Sequence, residues 1–169
     1  MYRPTIYVAV LAVLTGCGFQ PLYGSAGQVD IGAELASIKI DVIKDRIGQQ
    51  LRNHLLDSIN PLGPPGFPAY TLSVTLKESK QELAVKKSAI TTRVNISFSA
   101  AFTLRGTKRD SPVQLTGTSM IVTGYNILTS DFATLTAAQD ARTRAVRELG
   151  NDITNRIAAF IQMLHGRGT

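Results

Sequence analysis

A strict two-residue alternation after Arg93 is the feature that most constrains how this chain can fold. Every second position is apolar, and most of the positions between carry small polar side chains. The apolar set is Val94, Ile96, Phe98, Ala100, Phe102 and Leu104. Successive side chains of a strand point to opposite faces, so the pattern predicts a strand with one buried and one accessible face. Such a strand belongs to a sheet that another layer covers on one side.

Three further segments show strand-like alternation, at residues 37–43, 70–76 and 113–125. The second pattern loosens into charged residues from Glu78 onward. In the third, the apolar positions change face around Gly117, which predicts a β-bulge there.

Two segments have the periodicity of amphipathic helices. The first begins after Asp45, a suitable N-cap, and ends at Pro61. Its apolar stripe is Ile47, Leu51, Leu55 and Ile59. Residues 61–68 contain four prolines and can form neither a helix nor a central strand. The second helix begins near Phe132 and extends over roughly 30 residues by its pattern.

The order of elements is therefore strand, helix, three strands, helix. Helices and strands that are each apolar on one side bury those sides most simply by packing together as two layers. We therefore expect an α+β two-layer sandwich. Two helices pack on one face of a four-stranded mixed sheet in this prediction. Residues 37–165 form a single domain, and residues 166–169 form a short C-terminal tail.

The N-terminal segment is typical of a bacterial lipoprotein signal. Arg3 provides a basic start, residues 6–14 are apolar, and Leu14-Thr15-Gly16-Cys17 fits a lipobox. We therefore expect residues 1–16 to be cleaved and Cys17 to carry a diacylglycerol and an N-acyl chain, with no other cofactor. Residues 17–36 form the tether. The alternative is that Cys17, the only cysteine, is an ordinary thiol in a hydrophobic helix.

Catalytic and metal-binding patterns are absent from the sequence. The two histidines, His54 and His165, have no evident sequence partner, and the acidic residues are dispersed without paired carboxylates. There is no nucleophile motif and no phosphate-binding glycine loop. The sequence predicts a protein that is not an enzyme and has no metal site.

Positive charge is concentrated in one predicted hairpin. The chain has 18 Lys and Arg against 12 Asp and Glu, for a net charge of +6, which favours anionic partners. The hairpin cluster consists of Lys77, Lys80, Lys86, Lys87 and Arg93. These side chains could hold an anionic lipid, or they could be a solvated edge that discourages strand pairing. A second basic turn, at Arg105, Lys108 and Arg109, has the same two interpretations, and nothing indicates nucleic-acid binding.

The second face of the predicted sheet is polar and almost uncharged, which suits a hydrogen-bonding interface with another protein. Its members are Thr71, Ser73, Thr75, Asn95, Ser97, Ser99, Thr103, Thr116 and Thr118. The alternative is that Ser and Thr are simply common in strands here.

The segment from Cys17 to Tyr23 (Cys-Gly-Phe-Gln-Pro-Leu-Tyr), the order of elements and the closing Asp140-Ala141-Arg142 helix resemble the lipopolysaccharide (LPS) assembly lipoprotein family, LptE, of the alphaproteobacterial type. The resemblance implies two helices on a four-stranded sheet, inside the lumen of the LptD β-barrel. It also implies delivery of LPS to the outer leaflet, with the lipid anchor in the inner leaflet of the outer membrane. Gly18 agrees with this sorting, because the Asp that commonly retains lipoproteins in the inner membrane is missing.

The resemblance also indicates binding of LPS through basic residues, which points to Lys80, Lys86, Lys87 and Arg93. Two other classes stay open. A lipid-binding or transport-auxiliary lipoprotein without LptD could share this fold and basic surface. A periplasmic hydrolase would require titratable groups that converge in a pocket.

Overall fold

The computed structural model describes residues 30–83, 93–108 and 113–166. This part of the chain forms three helices and a four-stranded mixed sheet, which confirms the predicted α+β class and the helices packed on the sheet. The elements are α1 (Ile31–Ala36), β1 (Ile38–Ile40), α2 (Arg46–Ile59), β2 (Tyr70–Leu83), β3 (Arg93–Gly106), β4 (Gln114–Asn126) and α3 (Asp131–Gly166).

The strands lie side by side in chain order. β1 pairs with β2 in parallel, while β2–β3 and β3–β4 are antiparallel. Alternate residues of β3 are buried from Val94 to Leu104, as the alternation predicts. β2 continues through the charged residues to Leu83, because β3 supplies a hydrogen-bonding partner along its whole length.

The predicted bulge at Gly117 is wrong. The register between β3 and β4 is continuous, with Gly117 directly opposite Phe102. A Cβ at Gly117 would lie 2.7 Å from Cζ of Phe102, so the glycine makes room for a buried ring. The apolar residues Met120 and Val122 remain on the opposite, accessible face.

The two long helices cover the other face of the sheet. Four-residue spacing buries Leu51, Leu55 and Ile59 of α2, as predicted. The middle of α3 buries Leu149, Ile153 and Ile157 among the side chains of the sheet and α2. With 36 residues, α3 is about 54 Å long and extends well beyond α2.

The start of β1 lies at one end of the molecule, which we call the α1 end. Here the backbone N–H of Ala69 donates to Ser37 O (3.0 Å), and that of Thr107 donates to Ala69 O (2.8 Å). The last turn of α3 also reaches this end, where His165 Nε2 lies 3.9 Å from Glu34 Oε1. The other end, where β2 finishes and β3 and α3 begin, is the hairpin end.

α1 was not distinguished from the tether in the sequence, because six residues are too few for a periodic pattern. Asp30 caps it by accepting a hydrogen bond from Ala33 N–H (3.2 Å). Residues 17–29 of the predicted tether, and the signal segment before them, lie outside the described residues.

Candidate binding cleft

A cleft opens on the helix-covered face because α2 is shorter than the strand it covers. The helix has 14 residues and is about 21 Å long, whereas the 14 residues of β2 extend over about 46 Å. α2 begins at Arg46 and runs towards the α1 end, where Asn60 Nδ2 donates to Ala36 O (3.0 Å). The inner face of β2 near the hairpin end is therefore not covered by α2.

The resulting cleft has a volume of about 780 Å³ and is bounded by α2, β2 and α3. Its lining residues are Arg46, Ile47, Gln50, Glu78, Lys80, Leu135, Gln139, Arg142 and Thr143. The cleft is therefore a junction of three elements that are far apart in the sequence.

One ion pair crosses the cleft. Arg142 Nη2 lies 3.0 Å from Glu78 Oε1, and its Nε donates to Oε2 at 3.4 Å. Both side chains are 21% exposed. Arg142 also donates to Ala138 O, which fixes the guanidinium against its own helix. Two nitrogens of the guanidinium thus bind the two carboxylate oxygens, and this bidentate pair connects α3 to β2.

The remaining charge in the cleft is positive. Neither Arg46 nor Lys80 forms an ion pair with any side chain that the structure describes. Ile47 and Leu135 add apolar surface beside these cations. A cleft of this composition suits a ligand that carries both an anionic group and a hydrocarbon part.

Local backbone geometry leaves the N-terminus of α2 open beside the cleft. Asp45 precedes the helix as predicted, but its side chain makes no capping hydrogen bond, and its φ of 67° is in the left-handed region. The first turn contains no acidic residue. The helix dipole is positive at this end, and the carboxylate of Asp45 offsets part of that potential.

The structure separates the cations predicted to bind LPS. Lys80 is opposite buried Ile96 and faces the helices, whereas Arg93 lies on the other face of the same hairpin. Lys86 and Lys87 lie outside the described residues. Lys77 shares the accessible face with Arg93.

Arg46 and Arg142 were not among the sequence-predicted site residues. Arg142 lies in the Asp140-Ala141-Arg142 segment that carries part of the family resemblance, yet nothing in that motif places it opposite Glu78. Arg46 is 34 positions from Lys80 in the sequence. Only the packing of α2 against the sheet brings these two cations to one cleft.

Both histidines have structural partners. His54 Nε2 is 3.0 Å from Asn151 Oδ1, which joins α2 to α3. His165 Nδ1 donates to Ile161 O at 2.9 Å in the last turn of α3. Within the three described segments, no group of His, Cys, Asp or Glu side chains could hold a metal ion.

The strand register places the whole predicted polar face on the side of the sheet away from the helices. Ser73, Thr103 and Thr116, for example, are neighbours across three strands. Lys77 lies on this face as well, opposite Ser99, so the surface carries more charge than the nine polar residues alone suggested.

A hydrogen bond connects α1 to the sheet. Burial raises the pKa of the Tyr70 phenol above its ordinary value of 10.0, and the nearby negative charge of Glu34 and a hydrogen bond to that carboxylate raise it further. Glu34 thus contacts both the start of β2 and, through His165, the end of α3.

The described helices do not include one that is both long and apolar enough for a membrane span. No family model matches the sequence, and no curated protein matches it either. Solved structures of bacterial lipoproteins do share its fold.

One is a provisionally assigned lipoprotein from Caulobacter crescentus CB15, with a TM-score of 0.63 and 22% identity over 79% of this chain and 96% of the other. This chain therefore has a fold found in bacterial envelope lipoproteins. Rare lipoprotein B from Shewanella oneidensis has the same fold, with a TM-score of 0.56 and 10% identity over 76% of this chain and 98% of that chain.

Proposed function

We propose that this chain is an LPS-assembly lipoprotein of the LptE type. In this proposal Cys17 anchors it to the periplasmic side of the outer membrane, and the domain acts as plug and assembly partner of the LptD β-barrel. It helps to deliver LPS to the outer leaflet and does so without catalysis. The observation that carries the proposal is the open, cation-lined cleft on a fold that bacterial lipoproteins share.

The cleft supports a role in handling LPS because of its two kinds of surface. Phosphate groups form charge-assisted hydrogen bonds with Lys and Arg, and Arg46 and Lys80 have no ion-pair partner among the described side chains. Ile47 and Leu135 offer contact to a hydrocarbon chain. The sequence-based set of Lys80, Lys86, Lys87 and Arg93 stays a prediction; of its two described members, Lys80 lines the cleft and Arg93 does not.

The accessible sheet face supports a protein partner. Its Ser, Thr and Asn side chains can exchange hydrogen bonds with water or with a polar barrel wall. Met120 and Val122 are exposed in the same surface and would be covered by such a partner.

Co-purification with LptD tests the assembly role. The full chain, tagged and extracted from membranes, is expected to bring down its own LptD. Introducing two charges on the accessible face by Ser97→Glu and Thr118→Glu should reduce recovery, because they would be buried at the interface without partners. The matched control, Gln49→Glu with Asn53→Glu, adds the same charge on exposed α2 positions and should not reduce recovery. If the unmodified chain never recovers LptD, the proposal is wrong.

LPS binding by the purified chain distinguishes the two cation sets. We expect Arg46→Gln with Lys80→Gln to weaken binding by on the order of tenfold, since both cations are exposed and each contact contributes roughly 0.2–1 kcal/mol. The comparison variant replaces Lys86, Lys87 and Arg93 with Gln. A loss confined to the comparison variant assigns binding to the hairpin, and unchanged affinity in both contradicts recognition by these basic residues.

A second candidate is a lipid-binding or transport-auxiliary lipoprotein that does not associate with LptD. The same cleft and basic surface favour it. Depletion separates the two, because loss of an LPS-assembly subunit leaves cells with defective surface LPS, whereas loss of an auxiliary lipoprotein leaves surface LPS intact.

A further inference from the structure

The proline-rich loop between α2 and β2 presents two fully solvated apolar side chains. Leu62 is 100% exposed and Phe67 is 98% exposed, the highest values among the large apolar residues that the structure describes. Exposure of this extent brings no packing benefit to the domain itself, so these side chains stabilise nothing in the isolated fold.

The loop is held in place although its tip is exposed. Gly63 N donates to Asn60 O (2.9 Å), and Gly63 has a φ of 104°, which a residue with a Cβ rarely adopts. Asn60 is itself buried and donates a hydrogen bond to Ala36 O, so the loop is fixed to the C-terminal end of α1. Four prolines restrict the backbone further.

The loop lies at the end of the domain where the tether enters. Asp30 is the N-cap of α1, and residues 17–29 join it to Cys17. These residues can span at most about 45 Å. If Cys17 is lipidated, as the proposed function holds, the α1 end stays within that distance of the bilayer, and the local concentration of lipid around the loop is high.

We infer that loop 61–68 is a second membrane contact, in which Leu62 and Phe67 enter the lipid interface beside the acyl anchor. This inference rests on the lipid anchor of the proposed function. The acyl chains already provide stable attachment, so the loop would set the orientation of the domain and not its affinity for the membrane.

Among the described residues, basic and acidic side chains at the α1 end are equal in number. Its cations are Lys39, Arg105 and Lys108, and its acids are Asp30, Glu34 and Asp57. The described charges at this end therefore favour no lipid headgroup, and we assign the contact to the two apolar side chains.

Tryptophan fluorescence provides the test, because the chain has no Trp of its own. Phe67→Trp is introduced in the full lipidated chain, which is reconstituted into vesicles of phosphatidylethanolamine and phosphatidylglycerol. Phe132→Trp is the matched control, since Phe132 is 79% exposed but lies at the hairpin end. Both sites are exposed, so neither change should disturb folding.

We expect the Phe67→Trp emission to shift to the blue on vesicles, with strong quenching by brominated lipid and weaker quenching by acrylamide. Phe132→Trp should keep its solvent-exposed emission. Adding Leu62→Ser to Phe67→Trp should reduce the blue shift. Emission from Phe67→Trp that stays solvent-like on vesicles overturns the inference, as does equal protection of both reporters.

Flotation of the same vesicles reports membrane attachment, and it therefore distinguishes failure of the loop contact from failure of the lipid anchor. If both variants float and the Phe67→Trp reporter stays solvated, the loop contact is wrong while the lipid anchor stands. If neither variant floats, the anchor itself is absent, and with it the membrane attachment in the proposed function. The loop inference then fails as well.

Discussion

At the scale of single residues, the contact between the two long helices depends on Gly150. The ring of His54 lies where a Cβ on this residue would be, and the ring is held there by its bond to Asn151. Gly150 is buried in the middle of α3, so a methyl group there could be accommodated only if the ring of His54 moved away.

Gly150→Ala should therefore destabilise the fold, although alanine is the better helix former. Replacing Gly by Ala in a helix gains about 1 kcal/mol, but overpacking costs about 1–3 kcal/mol. We expect a net loss of roughly 1 kcal/mol in the free energy of unfolding, measured by urea denaturation. In a His54→Ala background the clash is absent, and Gly150→Ala should be neutral or stabilising. A stabilising effect in the unmodified chain would contradict this account.

At the scale of elements, α1 is a short helix that depends on its contacts with longer ones. It has no fully buried residue, and Glu34 ties it to Tyr70 of β2 and to His165 of α3. The position of α1 matters because the tether enters there and because Ala36 holds the proline-rich loop through Asn60.

The Tyr70 contact predicts a loss of stability at alkaline pH. Its pKa is higher in the folded chain than in the unfolded chain, so the unfolded state loses its proton first as the pH rises above about 10. The stabilisation is fully present below that pH and is lost as the pH approaches the folded-state pKa. Tyr70→Phe should flatten this part of the stability–pH curve, while losing about 0.5–1.5 kcal/mol of hydrogen bonding at neutral pH.

Urea unfolding at a series of pH values from neutral to alkaline measures this effect. Glu34→Gln is the control, because it keeps hydrogen-bonding capacity but removes the charge. Its alkaline slope should fall between those of the unmodified chain and Tyr70→Phe. An unchanged slope in Tyr70→Phe would assign the alkaline loss to other groups.

At the scale of the whole molecule, one core joins the sheet to both long helices. Its members extend from Ile38 to Ile161, and all lie within the described part of the chain. Leu149 is almost completely buried there. The residues from Asp30 onward thus contain a core that joins the sheet to both long helices.

A chain that begins at Asp30 keeps every member of this core, so we expect it to unfold in a single cooperative transition, with the same midpoint as the unlipidated full chain. Leu149→Ala should lower the free energy of unfolding by about 2–5 kcal/mol in both forms. Calorimetry and circular dichroism provide the measurement. Two separate transitions, or a large stability difference between the forms, would show that the N-terminal segment contributes to the core.

The sequence by itself determined which residues β3 and α2 bury. Strand alternation from Val94 to Leu104 and the stripe of Leu51, Leu55 and Ile59 are local patterns, because side-chain direction follows from backbone geometry. The extent of β2 past Glu78 was not predicted, because hydrogen bonds to β3 and not local apolar residues maintain it.

Only the tertiary structure decided which charged residues share a site. Arg46, Lys80 and Arg142 are far apart in the chain, and the cleft between them exists because α2 is shorter than β2. The same packing places Lys80 and Arg93, which the sequence grouped together, on opposite faces of one hairpin. Residue spacing gives the face of a strand, but the neighbours on that face depend on how separate elements pack.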